Sequence, residues 1–234
     1  MTSTASPRNR ALRWAKRLLA AVIVLLALPY FIVPLYRFID PPSTLMLTRW
    51  LLGKRVERTV MPLARIAPIL PRTVIASEDG RFCFHHGFDL AELRASIEAA
   101  DDVSEARGGS TITQQVAKNL FLWQGRSFIR KALEFPLAVW IDLVLPKRRI
   151  MEIYLNIAEW GPNGEFGVEA GARHAFNKSA SQLSAGEAAL LTVMLPNPKR
   201  RSAKAPKAGV RRVAAIVERR AARPSQIDAC LRGP

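Results

Sequence analysis

The chain has 234 residues, with 35 lysines and arginines against 19 aspartates and glutamates, for a net charge of +16. That length, less an anchor and a tail, accommodates one compact domain with a single core and excludes a second catalytic domain. Aliphatic residues are plentiful and charge is extreme only towards the two ends, which excludes a disordered middle.

Residues 1–17 are a basic leader in which Arg8, Arg10, Arg13, Lys16 and Arg17 have no acidic partner. From Leu18 to Tyr36, nineteen consecutive residues carry no charge, enough at helical rise for a hydrocarbon core of roughly 30 Å. A secretory signal is the rival reading, but its apolar region runs only about 7–15 residues before a small-residue cleavage site. Here Arg37-Phe-Ile-Asp-Pro-Pro follows instead. Residues 18–36 therefore read as one transmembrane helix, which tolerates Pro29 and Pro34. The basic flank keeps the N-terminus in the cytoplasm and everything after Arg37 outside the inner membrane, in the periplasm of a two-membrane cell. Cys83 and Cys230 then meet an oxidising compartment. Two cysteines so far apart make no disulfide framework, and both are expected as free thiols.

Residues 37–55 form a juxtamembrane linker, with Asp40-Pro-Pro-Ser as a rigid exit and Leu45 to Leu52 as a short apolar or interfacial helix ending at Gly53. A mainly helical domain is expected over 56–200. Pro68 and Pro71 bracket a turn, and Thr73-Val-Ile-Ala leads into Glu78. Asp89 and Glu92 have capping-box spacing before a helix with Leu90, Leu93 and Ile97 on one face, ending near Ala100. The polar, glycine-ended stretch 101–109 reads as a loop, after which Ser110 caps the next helix. There Ile112, Val116 and Leu120 face the core, while Thr111, Gln114, Gln115 and Lys118 gather elsewhere. Residues 147–156 continue as an amphipathic helix with Ile150, Ile153, Tyr154 and Ile157 inward. The stretch Gly161 to Gly171 is too glycine-rich to be regular throughout. Ser184 and Glu187 have capping-box spacing before an apolar helix that stops at Pro196. Residues 201–234 are a basic tail, which suits a solvated helix face or anionic lipid headgroups; on the far side of the membrane it meets no nucleic acid.

The chemistry concentrates in Glu78-Asp-Gly-Arg-Phe-Cys-Phe-His-His-Gly-Phe-Asp (78–89) and Arg107-Gly-Gly-Ser-Thr-Ile-Thr-Gln-Gln-Val-Ala-Lys-Asn (107–119). A carboxylate pair stands beside histidines, and a glycine pair then opens a helix whose free N–H groups favour anions. That combination suits a long, polar, phosphate-bearing substrate. Taken singly, the features are weak: amides and a lysine commonly make a solvated helix face, and Arg130, Lys131 and Glu134 are spaced as an ordinary intrahelical ion pair. His85 and His86 are adjacent and diverge on a strand or a helix, which disfavours a two-histidine metal site.

Together these segments resemble the peptidoglycan glycosyltransferases, or murein polymerases, of the monofunctional biosynthetic transglycosylase type. Glu78-Asp79, Phe82, His85, Gly87 and Asp89 match the first motif, and Gly109 to Gln115 with Lys118-Asn119 the second. Arg130-Lys131 and Glu134 match the third, Arg149-Ile, Glu152, Tyr154 and Asn156 the fourth, and Ala188 to Pro198 the closing one. The resemblance covers roughly residues 40–200, and five motifs in order are far more specific than any one. Gly80 departs from the pattern, standing where many relatives carry a basic residue, as does Phe84 where a polar residue is common. No Ser-x-x-Lys with Lys-Thr-Gly set of a transpeptidase is present.

The resemblance implies a lysozyme-like glycosyltransferase domain with a small jaw lobe near Leu120-Phe-Leu-Trp123 and Phe128, residues that face either lipid or the core. It implies polymerisation of lipid II, with the growing glycan moved from its lipid pyrophosphate to the 4-hydroxyl of the next sugar and inversion at the anomeric carbon. Glu78 is the expected general base, with Asp79 and His85 positioning it. Lys118, Arg130 and Lys131 hold pyrophosphate, and Ser110, Thr111, Gln114, Gln115 and Asn119 bind substrate. Glu134, the second catalytic carboxylate, orients the cations or assists the leaving side. No cofactor is required, although a divalent ion (magnesium or manganese) bridging the phosphates is compatible. The implied partners are lipid II, the nascent strand, inner-membrane lipids, and penicillin-binding and division proteins. A membrane-bound lytic transglycosylase on the same scaffold and a non-catalytic wall scaffold are the alternatives.

Overall fold

A computed structural model describes residues 7–98, 109–125, 127–223 and 226–232. The first helix, α1 (Pro7–Ile32), runs through Pro29 and passes into a 3-10 turn, Val33–Arg37. The stretch Ala11–Arg37 is long and apolar enough to cross a membrane, and almost all of its side chains are exposed. Such a helix fits a membrane anchor. It starts well before Leu18 because Ala11-Leu-Arg-Trp-Ala-Lys-Arg are good helix formers, so the backbone helix outruns the uncharged run. Its end docks on the domain, where Trp140 donates to the Tyr30 carbonyl at 3.0 Å and Tyr36 stacks on Phe121.

The linker is clamped. Helix α2 (Thr44–Leu51) is capped by Ser43, which accepts from Met46 N at 3.2 Å, and the chain turns at Gly53. Arg149 donates to the carbonyls of Tyr36 and Ile39 and pairs with Asp40 and Glu152, while Glu152 accepts from Leu63 N at 2.6 Å. Asn156 bonds both the N–H and the carbonyl of Met61. The fourth motif thus fastens the chain that follows the apolar helix; of its residues only Tyr154 reaches the cavities described below.

The domain is helical: α3 (Ile69–Glu78), α4 (Leu90–Glu98), α5 (Ile112–Phe121), α6 (Phe128–Val144), α7 (Lys147–Ile157), α8 (Val168–Phe176), α9 (Ala185–Thr192) and α10 (Ala208–Ala222). Two-residue strands β1 (Glu57–Arg58) and β2 (Glu165–Phe166) pair in parallel, tying the linker to the domain. Helix α5 lies between α6 and α7, and its Ile112, Val116 and Leu120 are buried, as are Ile150, Ile153, Tyr154 and Ile157 of α7. Helix α3 packs on α9 and α10. The run after Leu120 divides: Leu120 and Leu122 are buried, whereas Trp123 and Phe128 are exposed.

Several local expectations are corrected. Pro68 and Pro71 do not bracket a turn: they lie at the start of α3, where an absent N–H leaves no intrahelical bond unmade. The cap of α5 is Thr111, not Ser110: Thr111 and Gln114 exchange reciprocal capping-box bonds, leaving Ser110 free for another partner. The Ser184–Glu187 box caps α9 as read. Within Gly161–Gly171, β2 and the first turn of α8 are regular. The loop 101–108 and the helix end near Ala100 lie outside the described residues.

Cys83 and Cys230 are not free thiols; they form a disulfide across 147 positions. Sequence separation says nothing about spatial separation, and here the last turns come back under the first motif. Residues 201–234, set apart by charge as a tail, carry α10, whose Ala214, Val217 and Ala221 are buried against the domain. Arg72 pairs with Asp228 at 3.4 Å, and Arg148 donates to the Leu231 carbonyl at 2.8 Å.

Candidate active site

Glu78 is the last residue of α3, half-buried, with two hydrogen bonds of its own: its Oε2 accepts from Gln115 Nε2 at 3.1 Å and its Oε1 lies 3.5 Å from the Ser77 hydroxyl. Burial pushes the Glu78 carboxyl above the ordinary carboxylate range; the bonds from Gln115 and Ser77 and the charges of Arg201 and Lys118 oppose that rise. Gln115 in turn accepts from the Tyr154 hydroxyl at 3.1 Å. Burial, with the nearby charges of Glu78 and Asp79, raises Tyr154 well above the phenol range, so the hydroxyl stays a donor.

Among the described residues, no side-chain hydrogen bond joins Asp79 or His85 to the Glu78 carboxylate. Asp79 accepts from His85 Nε2 at 2.9 Å and from the Ile112 N–H at 2.9 Å, so it binds the first motif to the N-terminus of α5. The junction is closed by Gly87, whose φ is +84° and where a Cβ would stand 2.6 Å from the Ala138 carbonyl oxygen. Its own carbonyl accepts from the Thr111 hydroxyl at 2.7 Å. Positioning of Glu78 is therefore indirect, through the register of α3 against α5. Asp79→Asn removes a buried, charge-assisted acceptor and is expected to cost about 2 kcal/mol, read as a lower unfolding midpoint in detergent. An unchanged midpoint would show that the junction does not depend on this charge.

On the other side of Gln115 stand the cations. Lys131 donates to Ser110 Oγ at 2.8 Å and reaches Gln114 Oε1 at 3.4 Å, and with Arg130 it pairs to the buried Glu134. Desolvation and the charges of Arg130 and Lys118 bring the Lys131 ammonium down to about 8. Lys118 is lowered by burial and by Arg130, and partly restored by Glu78. Lys118 thus lies within electrostatic reach of both Glu78 and Arg130 and links the two.

Two cavities flank these residues. One, of about 250 Å³, runs from Glu78 and Asp79 past Gly80, Arg81 and Asp89 to Gly109, Ser110, Thr111 and, from α10, Arg220. The second, of about 190 Å³, is lined by Gln115, Lys118, Asn119, Gln124, Tyr154 and Glu159. Of the twelve residues named for the site from sequence, Glu78, Asp79, Ser110, Thr111, Gln115, Lys118 and Asn119 line the cavities, His85, Gln114 and Lys131 bond to lining residues, and Arg130 and Glu134 stand one step further off, Glu134 paired to both cations. Sequence reasoning missed Arg201, which faces Glu78 electrostatically, and Glu159, whose carboxyl is raised by burial and paired to Arg49 at 3.3 Å. Neither carried a local signal. His85 and His86 diverge, the first buried on Asp79 and the second exposed beside Asp142.

The family model described as Transglycosylase matches residues 45–221. The chain belongs to the transglycosylase family. It is 60% identical over 212 residues to a biosynthetic peptidoglycan transglycosylase of Nitrobacter hamburgensis, covering 91% of this chain and 93% of that protein. A protein of the same description from Rhodopseudomonas palustris is 56% identical over 232 residues, 99% of this chain and 98% of its own. One from Rhizobium johnstonii is 54% identical over 211 residues, 89% and 86% of the two chains. The transglycosylase match extends through α10, beyond the motifs legible in the sequence.

Proposed function

We propose that this transglycosylase polymerises lipid II at the membrane surface, Glu78 acting as general base. The 4-hydroxyl of the incoming sugar–peptide attacks the anomeric carbon of the growing strand; the bond from that carbon to the lipid pyrophosphate breaks, and the hydroxyl proton passes to Glu78. Pyrophosphate leaves as an anion and needs cations rather than an acid, a need that Lys118, Arg130 and Lys131 meet. Glu134 holds two of those cations in place. The observation that carries the reading is the run Glu78–Gln115 beside Lys118: a carboxylate raised towards neutrality on one side of an amide, and desolvated ammonium and guanidinium groups on the other.

A divalent ion has no protein ligand set in this reading: among the described residues, no three His, Cys, Asp or Glu side chains gather. The neighbourhood of Lys118, with Arg130 close by, is cationic and repels a metal ion. The basic residues in the first turns of α1 support an N-terminus on the cytoplasmic side of the inner membrane and a periplasmic catalytic domain. Enzyme and lipid-linked substrate would then share one surface.

The direct test gives the purified chain, in detergent, labelled lipid II and sizes the products. Long glycan supports polymerisation. Shortened sacculi without polymer would point to the lytic reaction, which calls for a protonated acid instead of cations.

The pH profile is a second test. The free enzyme needs Glu78 ionised, so kcat/KM is expected to fall as pH drops through that raised value. It needs Lys131 charged, so kcat/KM is expected to fall again as pH rises through about 8. Lys131→Arg, which stays charged, should move the alkaline limb upward and leave the acid limb in place. An alkaline limb that ignores this substitution would remove Lys131 from the pyrophosphate site.

A further inference from the structure

The cavity that holds Glu78 does not end at the first two motifs; it continues past Gly80 to Arg220, near the end of α10. Of the two guanidinium groups along it, Arg81 is committed to Asp89 at 3.2 Å, whereas Arg220 has no ion pair or side-chain hydrogen bond with any described residue. The carboxylates are largely engaged as well. Asp79 serves His85 and Ile112 N, and Asp89 accepts from Ala91 N and Glu92 N and pairs with Arg81. Glu92 has no ion pair with any described residue, and among the side chains that line the cavity the uncommitted cationic fork is that of Arg220.

Two features make this fork part of the site rather than a stray surface charge. Arg220 adjoins Ala221, which is buried where α10 meets α3, the helix that ends at Glu78, so both residues ride on packed helices. A Cβ at Gly80 would meet nothing within 4 Å, and its backbone has no positive φ. The glycine is therefore demanded by neither packing nor conformation; its effect is to leave the cavity open between Glu78 and Arg220.

Resting on the polymerase reading above, we infer that Arg220 binds a carboxylate of the peptide carried by the sugar that occupies the Glu78 cavity. The resemblance makes lipid II a disaccharide-pentapeptide on its lipid pyrophosphate; such a peptide ends in a carboxylate, and five residues extend at most about 17 Å, ample to leave a sugar at Glu78 and cross a cavity of this size. The substrate's phosphates are already matched by Lys118, Arg130 and Lys131, so the anion matched to Arg220 is the peptide's.

The test compares wild type, Arg220→Gln and Arg220→Lys, as full chains in detergent, on three substrates. These are lipid II, lipid II with its peptide carboxylates amidated, and the lipid-linked disaccharide without peptide. On lipid II, Arg220→Gln is expected to raise KM about five-fold with kcat unchanged, and Arg220→Lys less, as for an exposed charge-assisted contact. On the amidated and peptide-free substrates the three proteins should coincide, with wild type itself at the higher KM. Equal KM values for Arg220→Gln and wild type on lipid II would overturn the inference. So would the same rise on all three substrates, which would assign Arg220 to sugar or phosphate. Wild type making no polymer from any of them would instead take down the polymerase reading on which the inference stands.

Discussion

Glu78→Gln is expected to lower the kcat of glycan polymerisation by about 10²–10⁴-fold while leaving the protein folded. The amide matches the carboxylate in shape and can still accept from Gln115, so the link from Tyr154 through Gln115 survives. What it cannot do is take the sugar's proton. Because the native carboxyl is already pushed up by desolvation, removing its charge relieves a cost, and the unfolding midpoint should stay level or rise. The stability–activity trade-off of a strained site has this signature. A variant that keeps more than a tenth of wild-type polymerisation would exclude Glu78 as the base. Intact biological activity without polymerisation would favour a scaffold role.

Loss of the Cys83–Cys230 disulfide, by reduction or by Cys83→Ala with Cys230→Ala, is expected to cost roughly 3–5 kcal/mol of stability in the oxidised-compartment form. The bond closes a loop of 147 positions, and the chain-entropy model assigns long loops the larger effect. Arg72–Asp228 and Arg148 to Leu231 would still hold the last turns, so the segment should stay docked while global unfolding becomes easier. The check is the midpoint of thermal or denaturant unfolding in detergent, with and without reductant. Equal midpoints would mean that the unfolded chain gains no freedom when the bond is cut, against the entropic account.

Legibility from sequence followed the range of the forces involved. The long apolar helix was readable from its uncharged run, and the Ser184–Glu187 box and the inward faces of α5 and α7 because each depends on residues three or four apart. Pro71 misled for a related reason: a proline breaks a helix interior but suits its first turn, and the distinction depends on where the helix begins, which α9 and α10 help decide. Ser110 and Thr111 are adjacent and chemically alike, and only the placement of Lys131 across from Ser110 separates their duties.

The candidate site divides the same way. Glu78, Gln115, Lys118, Arg130 and Lys131 were named from residue types at fixed spacing and from the resemblance those motifs carry. That Asp79 bonds α5 rather than Glu78, that Arg149, Glu152 and Asn156 secure the chain that follows the apolar helix, that the charge of Arg201 acts on Glu78 and that Arg220 lines its cavity were invisible along the chain.

The order of amino acids by itself determined the long apolar helix, the helical character, the chemical groups on offer and the family. Those follow from hydrophobic transfer, backbone geometry and local hydrogen bonding, which act between near neighbours. The tertiary structure alone decided which distant groups meet: Cys83 with Cys230, Asp79 with Ile112, and Arg220 with the cavity of Glu78. Such meetings are set by how helices bury their faces against one another, and packing carries no record of separation along the chain.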